Sequence, residues 1–472
     1  MCGFVGIIGL EPVAPGLTLG LQAIQHRGQD AAGVGTSHEG RFHVVKACGL
    51  VTTAIKASDM SRLPGKAGIS HVRYPTAGGQ STAEDAQPFV TRSPGIVMAH
   101  NGNLTNVDEL TTFLRGEGVH VLSHCDAEPL LLTLAVALNR TRTKGHTAQD
   151  VGEAVKEVYS RVRGGYTVVA VMEVDGRETL VAFRDPHGIR PGVYAQRTDG
   201  SWIVASESVT LDVLDARPVA QLPVGEVMLF RANEAPVRVP VQPAQSTPCV
   251  FERIYFARPD SVMEDGRVNR ARWRMGRLLA EEWSARGLTA DLVVAVPDTS
   301  RPAAMAMAEA LGLPNREGFI KNRYSGRTFI MPDQSTRDAA LRLKLNPIRE
   351  MFEGNSVLLV DDSIVRGSTM KRIVRLLRTL NPVEIHLAIF SPPVKHPCFY
   401  GIDMPSTEEL IASQMDQDAL AEHLGADSVT YLSIDGLKAV NGRHICDACF
   451  TGAYVVPVSQ AERDAINATR RP

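Results

Sequence analysis

The stretch that most constrains the fold is Val357 to Thr369, VLLVDDSIVRGST. Val357 to Val360 are consecutive aliphatic residues without alternation, which predicts a parallel strand buried on both faces. Asp361 and Asp362 fall where that strand must end. Gly367 marks a turn, and apolar residues at 370, 373, 374, 377 and 380 recur at helical spacing, so a helix N-terminus follows the loop. Backbone N–H groups from Ile364 to Thr369 can then converge on a phosphate, aided by the helix dipole. The two carboxylates would repel phosphate, so their natural partners are hydroxyls or a cation. An Asp doublet alone reads more readily as an acidic turn or a helix cap; the thirteen-residue pattern is far more specific.

That pattern resembles the phosphoribosyl pyrophosphate (PRPP) signature of type I phosphoribosyltransferases. The resemblance implies that Asp361 and Asp362 hold the ribose 2- and 3-hydroxyls, and that Ser363, Ile364, Val365, Arg366, Gly367, Ser368 and Thr369 hold the 5-phosphate. Leu292 to Val296 reads as a second buried strand, followed by PDTSRPAA. Thr299 or Ser300 can cap the next helix, Pro302 suits its first turn and Gly312 its end. The resemblance adds a Mg²⁺ ligand at Thr299 beside Asp361 and Asp362, in keeping with the preference of that ion for oxygen donors and substrate phosphates. Between the two loops, residues 316 to 350 hold eight Lys or Arg against four Asp or Glu. A charge run is usually a solvated face, but this one resembles the loop that closes over PRPP, with Lys321, Tyr324 and Arg327 as its candidate contacts.

A chain of 472 residues suits two or more domains. A net charge of −2 argues against general binding to nucleic acid or a membrane surface. No apolar run is long enough to span a bilayer and no secretory signal opens the sequence, so a cytoplasmic location is expected. Seven scattered cysteines do not form a secreted disulfide framework.

The opening MCGFVGIIG puts Cys2 directly after the initiator Met. Removal of that Met would leave a thiol and a free α-amine on one residue, a nucleophile with its own base. QHRGQDAAG from Gln25, HVRYPT from His71, HNGNL from His100 and CDAE from Cys125 follow in order. Together these resemble the N-terminal-cysteine glutamine amidotransferases, which hydrolyse the glutamine amide and pass on ammonia. The resemblance assigns the nucleophile to Cys2 and the oxyanion donors to the Asn101 side chain and the Gly102 N–H. It assigns the glutamine carboxylate to Arg73, the ammonium to Asp126, and further site positions to Thr76 and Arg27. Taken singly, each of these is more often a surface ion pair or a turn residue; their joint occurrence carries the reading. Cys125 stands where that family has Ser or Thr, and it reads as a small core residue.

From Thr167 to Phe230, short apolar runs broken by turns predict antiparallel sheet, with Asp175-Gly176 as a hairpin turn. This fits the αββα sandwich of the N-terminal-nucleophile hydrolases, an α+β domain. In RDPHGIRP, Arg184 to Pro191, the histidine reads as structural. Four prolines between 236 and 248 mark a stiff linker, and the domains are divided at 235 into 1–235 (glutaminase) and 236–472 (an α/β phosphoribosyltransferase domain).

The C-x-x-C pair Cys446 and Cys449 is a metal half-site, a redox pair or a structural pair; spacing alone favours zinc. Cys249 before VFERIYFARPDS, Cys398 in PPVKHPCFYGID and the terminal CDACFTG instead resemble the branch of glutamine PRPP amidotransferases that carries a [4Fe-4S] cluster. Cys48 has no assigned role. The resemblance thus covers nearly the whole chain. It implies the first committed step of purine synthesis: glutamine, PRPP and water give 5-phosphoribosylamine, glutamate and pyrophosphate, with ammonia channelled between two sites. It also implies inhibition by purine nucleotides and a homotetramer. Rival readings are another amidotransferase sharing the glutaminase half, against which the PRPP motif speaks, and a non-enzymatic nucleotide-binding regulator.

Overall fold

The computed structural model describes residues 2–74, 82–141, 145–264, 266–322 and 345–469. Thr76, Tyr324 and Arg327 lie outside the described residues. The first half contains two antiparallel sheets of seven and six strands. Gly3–Ile8 sits near the middle of the larger sheet, between Ala67–Arg73 and Trp202–Ala205. In the smaller sheet Gly95–Leu104 pairs with Gly164–Val174, which pairs in turn with Arg177–Arg184. The apolar faces of the two sheets meet through Phe4, Ile69, Val97, Val169, Leu180 and Phe230. Helices Ala127–Thr141 and Ala148–Arg161 cover the outer face of the six-stranded sheet. Ala14–Ala23 and Ser208–Val213 cover the other. This is the expected αββα sandwich. The turn at Asp175-Gly176 has positive φ at both residues, 53° and 70°, as a two-residue hairpin demands.

The division at 235 needs correction. Val237–Pro240 pairs antiparallel with Glu226–Phe230 and closes one edge of the six-stranded sheet. The sequence reading took Pro236 and Pro240 as linker, but proline is tolerated on an edge strand, where its missing N–H faces no partner. The first sheet body therefore extends to Pro240.

The second half is a five-stranded parallel sheet. In spatial order its strands are Asn315–Arg316, Leu292–Ala295, Ser356–Asp361, Glu384–Ile389 and Ser428–Tyr431. Numbered along the chain, that order is 2-1-3-4-5. Leu358 and Val360 face one core with helix Arg301–Leu311. Val357 and Leu359 face the other with helix Ser368–Arg378. The helices that follow the first and third strands thus leave on opposite sides of the sheet. A crevice opens between the carboxyl ends of those strands, which is where open α/β sheets bind ligands. Met370, Ile373, Val374 and Leu377 are buried, as their spacing predicts.

Candidate functional site

Two sites are built on this frame, and the first lies at that crevice. Asp361 ends its strand and Asp362 follows it, 7% exposed. Burial, then the charge of Asp362, pushes the Asp361 carboxyl well above the usual range. Burial pushes Asp362 up to about 6, with Ser363 and Arg272 opposing. Such a pair calls for a hydroxyl or a cation. Ser363 Oγ donates to Asp362 at 2.6 Å, and the Asp362 N–H donates to Asp361 at 2.9 Å.

Gly367, at φ 75°, is the N-cap of helix Ser368–Arg378, and no side chain caps that helix. Its first N–H groups therefore point into the loop. The Ile364 side chain is buried and Val365 packs on the core, so only their backbone can face an anion. Arg366 pairs with Glu409 at 3.0 Å, while Ser368 and Thr369 are exposed.

Across the crevice, Thr299 lies in the turn before helix Arg301–Leu311, with Pro302 in the first turn and Gly312 left-handed at the end. Ser300 holds the cap position but makes no cap bond. Its hydroxyl donates to the Val296 carbonyl and, at 3.5 Å, to Asp361. The expectation of a side-chain cap is thus corrected: the hydroxyl bonds back to the Val296 carbonyl. Lys321 reaches Asp298 at 2.6 Å.

The second site surrounds Cys2. The thiol is 5% exposed and donates to the Tyr74 carbonyl at 3.6 Å. It lines a cavity of about 1120 Å³ together with Arg73, Gly102, Cys125 and Asp126. Arg73 ends a strand antiparallel to the one that carries Cys2's neighbours, which brings it beside the nucleophile. Asn101 is fully buried, and both polar atoms of its amide lack a hydrogen-bond partner. A buried amide left open in this way is costly unless a ligand completes it. At Gly102 a Cβ would stand 2.0 Å from the Gly165 carbonyl oxygen, so no side chain fits.

Asp126 Oδ2 accepts from the Leu104 N–H at 3.0 Å and pairs with His100 Nε2 at 3.3 Å. Gln87 donates to His100 Nδ1 at 3.2 Å and accepts from the His100 N–H at 2.7 Å. Gln87 therefore selects the imidazole tautomer that donates to Asp126. Burial raises the Asp126 carboxyl, but His100, the Leu104 N–H and Arg73 outweigh it and hold it below its ordinary value. Burial and the neighbouring Asp126 push the Cys125 thiol far up, which keeps it protonated and fits a core role.

Arg27 does not line this cavity. It is fully buried beneath Cys2, donating from Nε to the Cys2 carbonyl at 2.9 Å and gripping Glu207 and Glu252. Its guanidinium is committed to protein groups rather than to glutamine.

The cysteines predicted to hold metal share one core. Cys249, Cys446 and Cys449 are buried and Cys398 is half-buried. Cys249 and Cys446 pair as a short parallel bridge, and the Cys449 carbonyl accepts the N–H groups of Lys395 and His396 at 3.0 Å. Burial and the mutual repulsion of the four sulfurs raise the Cys446 and Cys449 thiols well above their usual range. Among the described residues, no three His, Cys, Asp or Glu side chains stand close enough to hold one metal ion.

Several site residues escaped the sequence reading. Glu207, in VASESV, and Glu252, in CVFERIYF, are acids flanked by apolar stretches, a local signal of buried ion pairs. Tyr74 bonds through its hydroxyl to Asp403 at 3.2 Å. Residues of helix Gln460–Thr469, including Glu462, form part of the Cys2 cavity wall, and Glu462 pairs with Arg163 at 2.9 Å. Nothing in its local pattern points to a partner so far away in the chain.

A sandwich with a thiol at the head of its central strand, joined to a parallel sheet with an acid pair and phosphate loop, defines a glutamine amidotransferase fused to a phosphoribosyltransferase. Residues 71–213 match the glutamine amidotransferase domain family, and residues 271–397 the phosphoribosyl transferase domain family. The chain is 43% identical to the amidophosphoribosyltransferase of Pseudomonas aeruginosa, over 99% of this chain and 97% of that one. It is 42% identical to that of Escherichia coli, over 100% and 96%. A solved structure described as the allosteric regulatory enzyme of purine biosynthesis superposes with a TM-score of 0.88 at 36% identity, covering 100% of this chain and 99% of that one. The Bacillus subtilis glutamine PRPP amidotransferase, solved with ADP and GMP, gives 0.86 at 36% identity, covering 97% and 98%. The chain belongs to the amidophosphoribosyltransferase family. It is an enzyme of the first committed step of purine biosynthesis, with both domains that the glutamine-dependent reaction requires.

Proposed function

We propose that Cys2, freed by removal of Met1, attacks the glutamine amide, while the Asn101 amide and the Gly102 N–H stabilise the oxyanion. Arg73 binds the glutamine carboxylate and Asp126, oriented by His100 and Gln87, its ammonium; Thr76 joins them as the sequence pattern suggests. The observation that carries this reading is the cavity lined by Cys2, Arg73, Gly102 and Asp126, with the buried, unpartnered Asn101 amide on the strand between two of its lining residues, His100 and Gly102. Ammonia then crosses to the second site. The backbone carbonyl of Tyr74 accepts from the Cys2 thiol while its hydroxyl donates to Asp403 of the second half, so Tyr74 spans the boundary that ammonia must cross.

At the acceptor site Asp361 and Asp362 clamp the ribose hydroxyls, and the N–H groups of residues 363–369 hold the 5-phosphate. Lys321, Tyr324 and Arg327 close over PRPP. The two adjacent carboxylates, both raised chiefly by burial, fit Mg²⁺ together with Thr299. That ion would neutralise the pyrophosphate as it leaves.

The four cysteines Cys249, Cys398, Cys446 and Cys449 share one core, and the motifs around them support a four-iron cluster over a single zinc. Thiolates on one zinc stand about 3.8 Å apart, from a 2.3 Å bond in a tetrahedron, whereas in a cluster each cysteine binds its own iron. The cluster would tie the start of the second half to its C-terminal segment. Feedback by purine nucleotides and a homotetramer are proposed from the family alone, and a cytoplasmic location agrees with there being no helix among the described residues long and apolar enough to cross a membrane.

The test is Cys2→Ala. Turnover of PRPP with glutamine should vanish while turnover with added ammonia persists, and intact mass should show Met1 absent from the wild type. Equal loss of both activities would overturn the division of labour.

A further inference from the structure

The residue that holds the nucleophile's own carbonyl is itself held from the other half of the chain. Arg27 donates from Nε to Cys2 O at 2.9 Å. Its two terminal nitrogens reach Glu252 Oε2 at 3.1 Å and Oε1 at 2.8 Å, and Nη1 also reaches Glu207 Oε1 at 2.5 Å. All three side chains are within 1% of complete burial. Glu207 belongs to the glutaminase sandwich. Glu252 opens a single π-helical turn, Glu252–Phe256, on the phosphoribosyltransferase side of Pro240.

The fork of a guanidinium fixes its plane only when both ends are gripped. With Glu207 alone, one end of Arg27 is held and the group can pivot about that bond. With Glu252 bidentate, the plane is set, and with it the direction of Nε toward Cys2. Glu252 is itself anchored by Arg190, 3.4 Å from Oε1. A second contact crosses the same boundary close by: Asn103, beside Gly102, donates to the Phe399 carbonyl at 3.0 Å. Both walls of the glutamine site thus lean on the second half.

We infer that Glu252 is a positioning residue for the glutamine reaction, setting the aim of Cys2 through Arg27. This rests on the reading of Cys2 as the nucleophile. Glu252 is buried and lies outside the lining of the Cys2 cavity, so its loss should affect bond making rather than glutamine binding. A purely structural ion pair would instead lower both activities and stability together.

The experiment uses the full chain with Glu252→Gln, which keeps shape and removes the charge. Glutamine-dependent kcat should fall by about tenfold to a hundredfold, as for a misplaced reacting group. KM for glutamine and ammonia-dependent turnover should stay within about threefold of the wild type. The rate at which iodoacetamide alkylates Cys2, followed on the N-terminal peptide by mass spectrometry, should change in step with kcat. Arg27→Lys keeps a cation between the two glutamates but deletes the Nε donor, and it should show the same split; it decides the matter if the glutamine variant does not fold. Glutamine turnover within about threefold of wild type in either folded variant, or parallel loss of both activities, overturns the inference. Cys2→Ala run alongside separates the two failures: full glutamine turnover in that variant would sink the nucleophile reading itself.

Discussion

Replacing Gly102 with alanine tests the glutamine site at the point where its geometry is tightest. A Cβ there would lie 2.0 Å from the Gly165 carbonyl oxygen and 2.7 Å from Tyr166 Cα, both backbone atoms. Ordinary contact begins near 3.4 Å, so the two paired strands must separate by an amount on the order of 1 Å. These strands, Gly95–Leu104 and Gly164–Val174, are paired residue for residue here, with Gly102 opposite Tyr166. The Gly102 N–H proposed to meet the oxyanion moves with them. A misplacement of about 1 Å at a reacting centre costs roughly a hundredfold in rate, and overpacking of this kind costs about 1–3 kcal/mol of stability. Gly102→Ala should therefore lose about two orders of magnitude in glutamine-dependent turnover. Ammonia-dependent turnover should persist, because the crevice at Asp361 lies on a different sheet. Paired assays with glutamine and with ammonia, beside a thermal melt, measure all three quantities. Glutamine turnover within about threefold of wild type would refute the reasoning, and so would loss of both activities with an unchanged melt.

Three further outcomes are expected. Asp362→Ala should cripple turnover with ammonia as well as with glutamine, since it removes the ribose clamp from the shared acceptor; normal ammonia rates would exclude that role. Burial raises the Glu207 carboxyl, but His26 and Arg27 outweigh it and hold the group well below the ordinary glutamate value of 4.5. A depressed carboxyl stabilises the fold above its unfolded pKa and loses that contribution as pH falls through the folded value. Melting temperature should thus drop below about pH 4.5, and the gap between wild type and Glu207→Gln should be widest at neutral pH and shrink in acid. A constant gap between pH 7 and 3 would contradict the linkage. Anaerobically purified protein should contain about four iron and four sulfide per chain, and one zinc in their place would overturn the assignment of the four cysteines.

The parts of the molecule legible in sequence were those whose signal is local. The run Val357–Val360 reads as a strand because its neighbours on both faces are apolar cores, and helix Ser368–Arg378 shows its buried face in its spacing. Cys2, Arg73, Gly102 and Asp126 were found through motifs, and the fold brings them to one cavity. Arg27 was misread because a motif position does not say which way a side chain points. Its partners come from 180 and 225 residues away. The edge strand Val237–Pro240 was missed because Pro236 before it and Pro240 at its end mimic a linker, although an edge strand tolerates proline. The wall contributed by helix Gln460–Thr469 has no counterpart in any local pattern at all.

That wall bears on how the enzyme comes into being. The sandwich leaves the ribosome first, yet Ser459, Glu462 and Ile466 border the space around Cys2. They are translated after every strand of both sheets and of the acceptor domain. A polypeptide that ends before helix Gln460–Thr469 would therefore leave the Cys2 cavity without one of its walls, so the last turns of the chain to be made are the ones that enclose its first thiol.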